Sequence, residues 1–318
     1  MPTACVDWRH AAAERIAALY RDEMARWATL GWDTAPTWRT VEIGRALGTL
    51  PGLLAVDGCG AIVGWTFYLL HGERLQVGGL VAASASVTNL LLDGALSGDV
   101  ASRAQGVTLF ALAGAPELDG ALAARGLAVD RYAYLARPLE WPARRASGDL
   151  RDWRASDAEA TAALLAEAYP GADAARPFAP RGRAAEWREY VGQLTAAAGC
   201  GTLMEDCCIV LPDGHGRLGA LALVTRLSAT TAHLAQIAVD PAAQRQGIGR
   251  LLVDEACNRA RRAGCERITL LVGGRNARAR RLYDTSGFGV TAGFVSAGRL
   301  QPLRLTSVAA GGHAITRP

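Results

Sequence analysis

A glycine-rich segment between an expected strand and an expected helix is the part of this sequence best suited to chemistry. It reads Val239-Asp240-Pro241-Ala242-Ala243-Gln244-Arg245-Gln246-Gly247-Ile248-Gly249-Arg250. Gly247 and Gly249 let the backbone approach a ligand with no Cβ atom between them. The first N–H groups of a helix are unpaired and, with the helix dipole, attract anions. Arg245 and Arg250 add positive charge, so the segment is suited to binding a pyrophosphate.

The elements around this segment follow from hydrophobic spacing. Strands are expected at residues 218–227, 231–239 and 268–272, the last being a continuous apolar run typical of a buried strand. Residues 249–263 repeat apolar side chains on one face and predict a helix. Asn276 is suited to cap the next helix, and Gly287 stands where a helix-ending glycine belongs. Upstream, we expect strands at 149–153 and 204–211 and a helix that begins in a capping box at residues 156–159.

These motifs resemble the GNAT superfamily of acyl-CoA N-acyltransferases. Gln244, Gly247 and Gly249 match the pyrophosphate loop of that family, and the flanking residues 237–241 are also similar to it. The resemblance extends to the following helix and strand and covers about residues 204–296; upstream, only the order of elements matches. The matching residues of that later region are Asn276, Ala277, Arg278, Ala279, Leu282, Tyr283, Gly287 and Phe288.

The resemblance implies that acetyl-CoA is the co-substrate, with no metal, and that it binds between the fourth and fifth strands. Backbone groups of Ile237 and Val239 would hold the pantetheine arm, and the glycine-rich loop would hold the pyrophosphate. The arginine run at residues 275–281 is either a solvated helix face or supplies a contact to the CoA 3′-phosphate, with Arg278 or Arg281 preferred. The predicted CoA-binding residues are Ile237, Ala238, Val239, Gln244, Arg245, Gln246, Gly247, Ile248, Gly249, Arg250, Asn276, Ala279 and Tyr283.

The implied reaction is direct attack of an amine on the thioester, which needs a proton acceptor for the amine and a proton donor for the sulfur. Tyr283 matches the proton donor of the family, although its ring could simply pack on the ligand. His233 is the preferred base, at a strand position where many family members carry a glutamate. Glu205, or a water chain with no dedicated residue, is the alternative.

The two halves of the chain share an order of elements, which indicates an internal repeat. We expect an α/β fold of the α+β type, with two tandem GNAT-like domains at residues 1–140 and 149–318 and a linker at 141–148. Each domain should have a mixed, mostly antiparallel sheet flanked by helices.

Matching Val81 with Val239 and Gly126 with Gly287 indicates that the first half lacks three residues before its third helix. There, residues 82–88 contain neither glycine nor arginine, and Leu122 stands where the second half has Tyr283. The first domain is therefore predicted to be degenerate, with one CoA bound per chain.

Composition limits the kind of protein this is. With 318 residues and 50% hydrophobic side chains, the chain is long enough for two cores. The net charge is +4, with −1 up to Ala146 and +5 beyond it, which suits an anionic ligand but is too weak to indicate nucleic acid. The seven cysteines show no metal-ligand spacing and are expected to be free thiols. No apolar run approaches a membrane span, so we expect a cytoplasmic protein, monomeric or homodimeric, that does not bind a membrane.

The preferred function is N-acetylation of a primary amine, on a small molecule or a peptide. A mycothiol-synthase-like or natural-product tailoring N-acyltransferase is the first alternative, because tandem GNAT architecture occurs in both. A non-catalytic CoA sensor or scaffold is the second. The acceptor pocket is expected to come from residues 169–183, residues 290–299 and whatever the first domain adds, including the tryptophans at positions 27, 32, 38 and 65 if they are not core.

Overall fold

The computed structural model describes residues 3–140, 143, 149–170, 178–196 and 200–300. Most of the linker predicted at residues 141–148, part of the predicted loop at 169–183 and residues 301–318 lie outside this range. The described residues form one large mixed sheet, with helices packed on both of its faces. This is the α/β architecture with a mostly antiparallel sheet that the sequence predicts.

The first half contains strands β1–β6 and helices α1–α5. In chain order they are β1 Ala4–Asp7, α1 Ala13–Thr29, α2 Ala35–Ala46, β2 Gly52–Val56, β3 Ile62–His71, β4 Arg74–Ala82, α3 Ala85–Ser97, α4 Asp99–Ser102, β5 Gly106–Leu112, α5 Leu118–Ala124 and β6 Ala128–Pro138.

The second half contains β7–β13 and α6–α9. In chain order they are β7 Arg151–Asp152, α6 Ala158–Ala168, α7 Ala184–Thr195, β8 Thr202–Leu203, β9 Ile209–Pro212, β10 Leu218–Ser228, β11 Thr231–Val239, α8 Ile248–Arg262, β12 Arg267–Gly273, α9 Ala277–Thr285 and β13 Gly289–Leu300.

The strand ladders give the correspondence between the halves. Arg74 pairs with Gly106 in the first half, and Thr231 pairs with Arg267 in the second, both in parallel register. Thr231 lies 157 residues after Arg74, whereas Arg267 lies 161 residues after Gly106. The first half is therefore shorter by four residues, so the predicted loss of three was wrong. Val239, which ends β11, corresponds to Ala82 at the end of β4 and not to Val81.

The halves exchange their last strands within one 13-stranded sheet. The strand order is β1-β2-β3-β4-β5-β13-β6-β12-β11-β10-β9-β7, with β8 also paired to β10. Thus β13 from the second half pairs with β5, and β6 from the first half pairs with β12, both antiparallel. The order is nearly symmetric about the central β13–β6 pair, and each half completes the sheet of the other.

The hydrophobic cores show the same exchange. Leu135 and Leu139, on and just after β6, belong to the core between α8 and the second-half strands. Val295 and Ala297 on β13 belong to the core beneath α3 and α5 of the first half. Since apolar burial supplies most of the folding free energy, neither core is complete without the other half.

Two local predictions were wrong, for local reasons. Residues 204–211 do not form one strand: Glu205–Cys207 is a short 3₁₀ turn, which lets β8 and β9 pair separately with β10. The capping box expected at 156–159 does not form either. The Asp157 carboxylate instead accepts hydrogen bonds from the Arg154 N–H and the Arg151 guanidinium, each at 2.8 Å, and α6 begins one residue later.

Candidate functional site

A wedge opens in the second half where β11 and β12 separate. The two strands pair from Thr231 and Arg267 as far as Leu234 and Leu270, and then diverge. At the point of divergence Ala235 is an extra residue, because Leu223 pairs with Gln236 while the next residue, Val224, pairs with Leu234. Such a bulge bends the strand and redirects its backbone groups. The free edges of both strands therefore face each other across a gap.

A cavity of about 490 Å³ fills this wedge. It brings together nearly all of the residues that the sequence singled out, from β11, the glycine-rich loop, α8 and α9. Gln246 is exposed and lies outside the lining. The predicted residues on the cavity wall are His233, Ile237, Ala238, Val239, Gln244, Arg245, Gly247, Ile248, Gly249, Arg250, Asn276, Ala279 and Tyr283.

The glycine-rich loop presents a row of backbone donors at the start of α8. Arg245 and Gly247 adopt φ values of +66° and +84°, and Gly247 is the N-cap without any side-chain cap. No acceptor within the described ranges pairs with the N–H groups from Gln246 to Arg250. Successive unpaired N–H groups at a helix start bind anions. Gly247 is needed for its left-handed backbone, whereas a Cβ at Gly249 would make only an ordinary contact with Leu282 at 3.4 Å.

Gln244 fixes the loop to its surroundings. Its Nε2 donates to the Val239 carbonyl at 3.1 Å, and its Oε1 accepts from Arg278 Nη1 at 2.7 Å. Arg250 is also held, since it donates to Asp254 and to Thr285, each at 3.1 Å. Two guanidinium groups are thus positioned beside the row of N–H donors, and both side chains line the cavity.

Tyr283 lies in the core with its ring against the cavity. Asn276 caps α9 as predicted, because its Oδ1 accepts from the Ala279 N–H at 3.0 Å. Two turns later Tyr283 is 5% exposed and packs edge-on against Phe288. Burial raises the pKa of Tyr283 above its ordinary value of 10, so the phenol keeps its proton at neutral pH. Its hydroxyl makes no hydrogen bond to any group in the described part of the chain.

His233 is buried at the closed end of the wedge. Its Nδ1 lies 2.9 Å from Thr269 Oγ1, and that hydroxyl donates to the Ala232 carbonyl at 3.2 Å. Since the hydroxyl has one proton, the network assigns the histidine proton to Nδ1 and leaves Nε2 unprotonated. Tyr134 stacks on the ring, and Trp32 packs against it at an angle. Burial lowers the pKa of His233 to about 3, which makes it a weak proton acceptor, and its predicted role as base stays a prediction.

Five aromatic residues on the cavity wall have no motif that would have revealed them: Tyr132, Tyr169, Phe178, Trp187 and Tyr190. Tyr169 Oη donates to the Ile237 carbonyl at 2.6 Å, and Tyr190 Oη approaches the Ala235 carbonyl at 3.5 Å. Two tyrosines thus contact backbone carbonyls along the free edge of β11. Only the predicted pocket segment 169–183 pointed to any of them.

The other residues predicted to form the pocket or to supply a base do not line the wedge cavity. No residue of 290–299 lines the wedge cavity, because the strand exchange places β6 beside β12 and Tyr132 occupies that position. Residues 296–299 instead line a second cavity of about 320 Å³, together with Pro180. Glu205 is exposed in its 3₁₀ turn and is not part of the lining. Trp38 and Trp65 are buried in the first-half core, at 8% and 3% exposure. Trp27 and Trp32 pack on the aromatic cluster with Tyr134.

The described residues contain neither a metal cluster nor a membrane-spanning helix. Within them, no group of three or more histidine, cysteine, aspartate or glutamate side chains could hold a metal ion. No helix in the same ranges is long and apolar enough to cross a membrane. All seven cysteines are free, and burial raises the pKa of the Cys207 and Cys257 thiols to about 11.

Comparison with known proteins places the second half in a family. Residues 160–288 match the family model of the acetyltransferase (GNAT) family. Mycothiol acetyltransferase of Beutenbergia cavernae is 44% identical over 80 residues, which cover 25% of this chain and 27% of that protein. The [ribosomal protein bS18]-alanine N-acetyltransferase of Escherichia coli K12 is 38% identical over 74 residues, or 23% of this chain and 49% of that one. The chain therefore spans between a quarter and a half of the length of these relatives.

Solved structures extend the likeness of fold beyond that segment. A GCN5-related N-acetyltransferase from Sphaerobacter thermophilus has a TM-score of 0.60 and 16% identity, covering 79% of this chain and 81% of its own. The glucosamine N-acetyltransferase region of a fungal multi-domain β-N-acetylglucosaminidase has a TM-score of 0.61 and 14% identity, covering 94% of this chain and 38% of its own. At these identities the likeness concerns the fold alone. The family model thus matches residues 160–288, and the likeness of fold extends over most of the chain.

Proposed function

We propose that this chain transfers an acetyl group from acetyl-CoA to a primary amine, at one active site in its C-terminal half. The observation that carries the proposal is the meeting of two features on one cavity. The row of N–H donors at the start of α8 lies at the same wedge as the protonated phenol of Tyr283. An anion site and a proton donor that share a cavity suit an acyl donor with a pyrophosphate at one end and a thioester at the other.

The binding roles follow from the positions of the donors. The N–H groups of residues 246–250, with Arg245, Arg250 and Arg278, would hold the pyrophosphate. The free edge of β11 from Ile237 to Val239 would pair with the pantetheine arm. The Ile237 carbonyl already accepts a hydrogen bond from Tyr169, so pairing of this carbonyl with the pantetheine arm requires Tyr169 to release it.

In the reaction itself, acetyl-CoA supplies the thioester carbon that the amine attacks. One C–N bond forms, the C–S bond breaks, the amine loses a proton and the sulfur gains one. Tyr283 would donate the hydrogen bond or proton to sulfur, for which its burial keeps it protonated. The proton from the amine would pass to His233 or to water. The hydrogen bond to Thr269 leaves Nε2 of His233 unprotonated, but burial gives the ring little affinity for a proton.

The proposal also covers the class of the acceptor, the domain organisation, and the location and oligomeric state of the protein. The relative from Escherichia coli is named for an alanine of a ribosomal protein, which supports a peptide amine as the acceptor here; a small-molecule amine is the alternative. Residues 1–140 and 149–318 are proposed as two GNAT-like units, the first without a catalytic site. A cytoplasmic monomer or homodimer that binds neither nucleic acid nor membrane completes the proposal.

The direct test is to mix the protein with acetyl-CoA and a panel of primary amines and to follow free thiol. Turnover that depends on an amine supports the proposal. Binding of CoA in calorimetry without turnover for any amine would instead favour a non-catalytic CoA sensor.

A mycothiol-synthase-like activity is the second candidate, because the relative with 44% identity over 80 residues is a mycothiol acetyltransferase. A mycothiol-synthase-like enzyme is expected to keep cofactor-binding features in its first half. Here residues 82–88 contain neither glycine nor arginine, which argues against this candidate. Comparison of kcat/KM for the amine precursor of mycothiol with that for simple amines separates the two. A preference of more than about a hundredfold for the precursor would favour the second candidate.

A further inference from the structure

The wall of the cavity opposite the anion site is largely aromatic. Tyr190 packs on both Phe178 and Trp187, with ring centroids 5.0 and 5.8 Å away. Tyr169 packs on Trp187 from the end of α6, and Tyr132 reaches the same cavity from β6 of the other half. Apolar rings with a few hydroxyl groups favour a ligand with an apolar body.

The charges on the cavity wall all have one sign. Arg245, Arg250 and Arg278 line the cavity, and no aspartate or glutamate does so within the ranges that the structure describes. An ammonium group moved into an apolar site without a carboxylate loses its hydration and gains no compensating charge. Entry of an acceptor in its protonated form is therefore unfavourable.

The other ionisable groups on the wall do not supply a base near neutral pH. Burial lowers the pKa of His233 to about 3 and raises the pKa of Cys200 to about 11 and of Tyr169 to about 12. Burial also raises the pKa of Tyr190 and Tyr283 well above 10. The ionisable groups that face the cavity, besides the arginines, are Tyr132, Tyr169, Tyr190, Tyr283, Cys200 and His233.

From the aromatic wall and the absence of a carboxylate on its described part, we infer that the acceptor is a weakly basic amine on an apolar body. The α-amine of an apolar amino-acid derivative, or an arylamine, belongs to this class; alkylamines and polyamines do not. The inference rests on the proposed function. The amine enters uncharged, its nitrogen forms the bond to the acetyl carbon, the C–S bond breaks with a proton passing to sulfur, and the proton lost from nitrogen goes to water.

The test uses two acceptors of similar shape and different basicity, phenylalaninamide and 2-phenylethylamine. An α-amine has a pKa of about 8 and an alkylamine of about 10.4, so the uncharged fractions at pH 7 differ by a few hundredfold. With the full chain and acetyl-CoA, we expect kcat/KM from thiol release to favour phenylalaninamide by about a hundredfold or more at pH 7. The preference should narrow by about tenfold at pH 9, as more alkylamine becomes neutral.

A second pair of acceptors tests whether the pocket prefers an apolar side chain to a charged one. Norleucinamide and lysinamide have side chains of similar length, and that of lysinamide ends in an ammonium group. We expect kcat/KM to favour norleucinamide by at least tenfold at pH 7. A preference for lysinamide would show that the pocket stabilises an ammonium group and would overturn the inference.

The remaining control addresses Asp173, which lies outside the described residues and between Tyr169 and Phe178 in the sequence. In Asp173→Asn the pH profile of kcat/KM for phenylalaninamide should keep its shape, whatever happens to the absolute rate. Loss of an ionisation from that profile would identify a carboxylate base and overturn the inference. Equal use of both phenyl amines at pH 7 would also overturn it but keep the transferase proposal. Absence of thiol release with every amine would overturn both.

Discussion

The two halves of this chain open the same wedge in their sheets but surround it with different chemistry. In the first half, β4 and β5 pair as far as Val77 and Leu109 and then diverge. β4 also carries a bulge at Gly78, in the position that Ala235 occupies in β11. The wedge is therefore a property of the strand geometry, which both halves share. It does not by itself indicate a CoA site.

The difference begins at the helix that follows the wedge. α3 is capped by Ser84, whose Oγ accepts from the Val87 N–H at 3.4 Å. α8 begins at Gly247 with no side-chain cap, which leaves its N–H groups available to an external anion. A serine cap stabilises its own helix, whereas a left-handed glycine leaves the donors unpaired. The first half thus satisfies its helix start internally.

The space beside the wedge differs as well. A Cβ placed on Gly78 would lie 2.0 Å from Phe67 Cε2, because the Phe67 ring lies directly over β4. Phe67 stacks in parallel with Trp65, and Trp38 packs on both. In the second half the position of Gly78 is taken by Ala235, which lines an open cavity. Aromatic packing therefore fills the space beside Gly78, and the first half keeps a smaller cavity of about 320 Å³ lined by Gln76, Leu109 and Phe110.

The largest expected effect comes from separating the halves. Residues 149–318 expressed alone lack β6 and with it Leu135 and Leu139 of their core. Loss of one large core side chain already costs about 2–5 kcal/mol, and here an entire central strand is missing. We expect this fragment to be unfolded or aggregated by circular dichroism and gel filtration, and to fold when residues 1–140 are co-expressed.

A protease site placed at residues 144–148 of the full chain is the matched control. Cleavage there should leave the two pieces associated, because the cut does not remove a strand. A monomeric 149–318 fragment that unfolds cooperatively would contradict the exchange of strands.

Replacement of Tyr283 tests the chemical difference between the halves. Tyr283→Phe should lower kcat by about a hundredfold, the lower end of what a positioned proton donor contributes. CoA affinity should stay within about twofold, since the ring and its packing remain. Thiol release and calorimetry measure the two quantities. Leu122→Met, at the corresponding first-half position, should change neither, and an unchanged kcat in Tyr283→Phe would remove Tyr283 from the chemistry.

The features of the second half that could be predicted from the sequence are local ones. The cap at Asn276 and the left-handed Gly287, with φ of +83°, follow from residues within one helix. The glycine-rich loop is also local, because Gly247 and the start of α8 are adjacent in the chain. Each of these features depends on a few neighbouring residues whose preferences are strong.

The features that escaped prediction are pairings between distant segments. The neighbour of β12 is β6, about 130 residues earlier in the chain, and an apolar strand pattern is the same whichever strand lies beside it. For this reason residues 290–299 do not line the wedge cavity, and Tyr132 on its wall was missed. The four-residue difference between the halves also needed the ladder registers, since Val81 and Ala82 are both apolar.

Substitutions at the N-caps of α8 and α3 are expected to have smaller effects, and they test the two halves as a pair. Gly247→Ala forces a Cβ into a left-handed conformation that costs about 1–2 kcal/mol. The loop should relax away from its donor geometry, and CoA affinity should fall by about tenfold in calorimetry. Ser84→Ala should instead lower the free energy of unfolding by about 1 kcal/mol, the usual cost of losing an N-cap, without changing CoA affinity. Loss of CoA affinity in Ser84→Ala would place a second site in the first half.

The smallest expected effect concerns His233, whose first-half counterpart by the 157-residue correspondence is the exposed Gln76. Burial lowers the pKa of His233 to about 3 from 6.5. Below pH 6.5 the unfolded chain therefore binds a proton that the native state does not, and stability falls as the pH decreases toward 3. Between pH 6.5 and 5.5 this loss of stability amounts to about 1 kcal/mol.

His233→Gln should remove that part of the pH dependence in urea unfolding, whereas His215→Asn, at an exposed histidine, should not. An identical pH dependence in His233→Gln would mean that the buried ring takes up a proton in the native state at an ordinary pH. His233 would then have the proton affinity that a base requires, and the proton lost from the amine could pass to it.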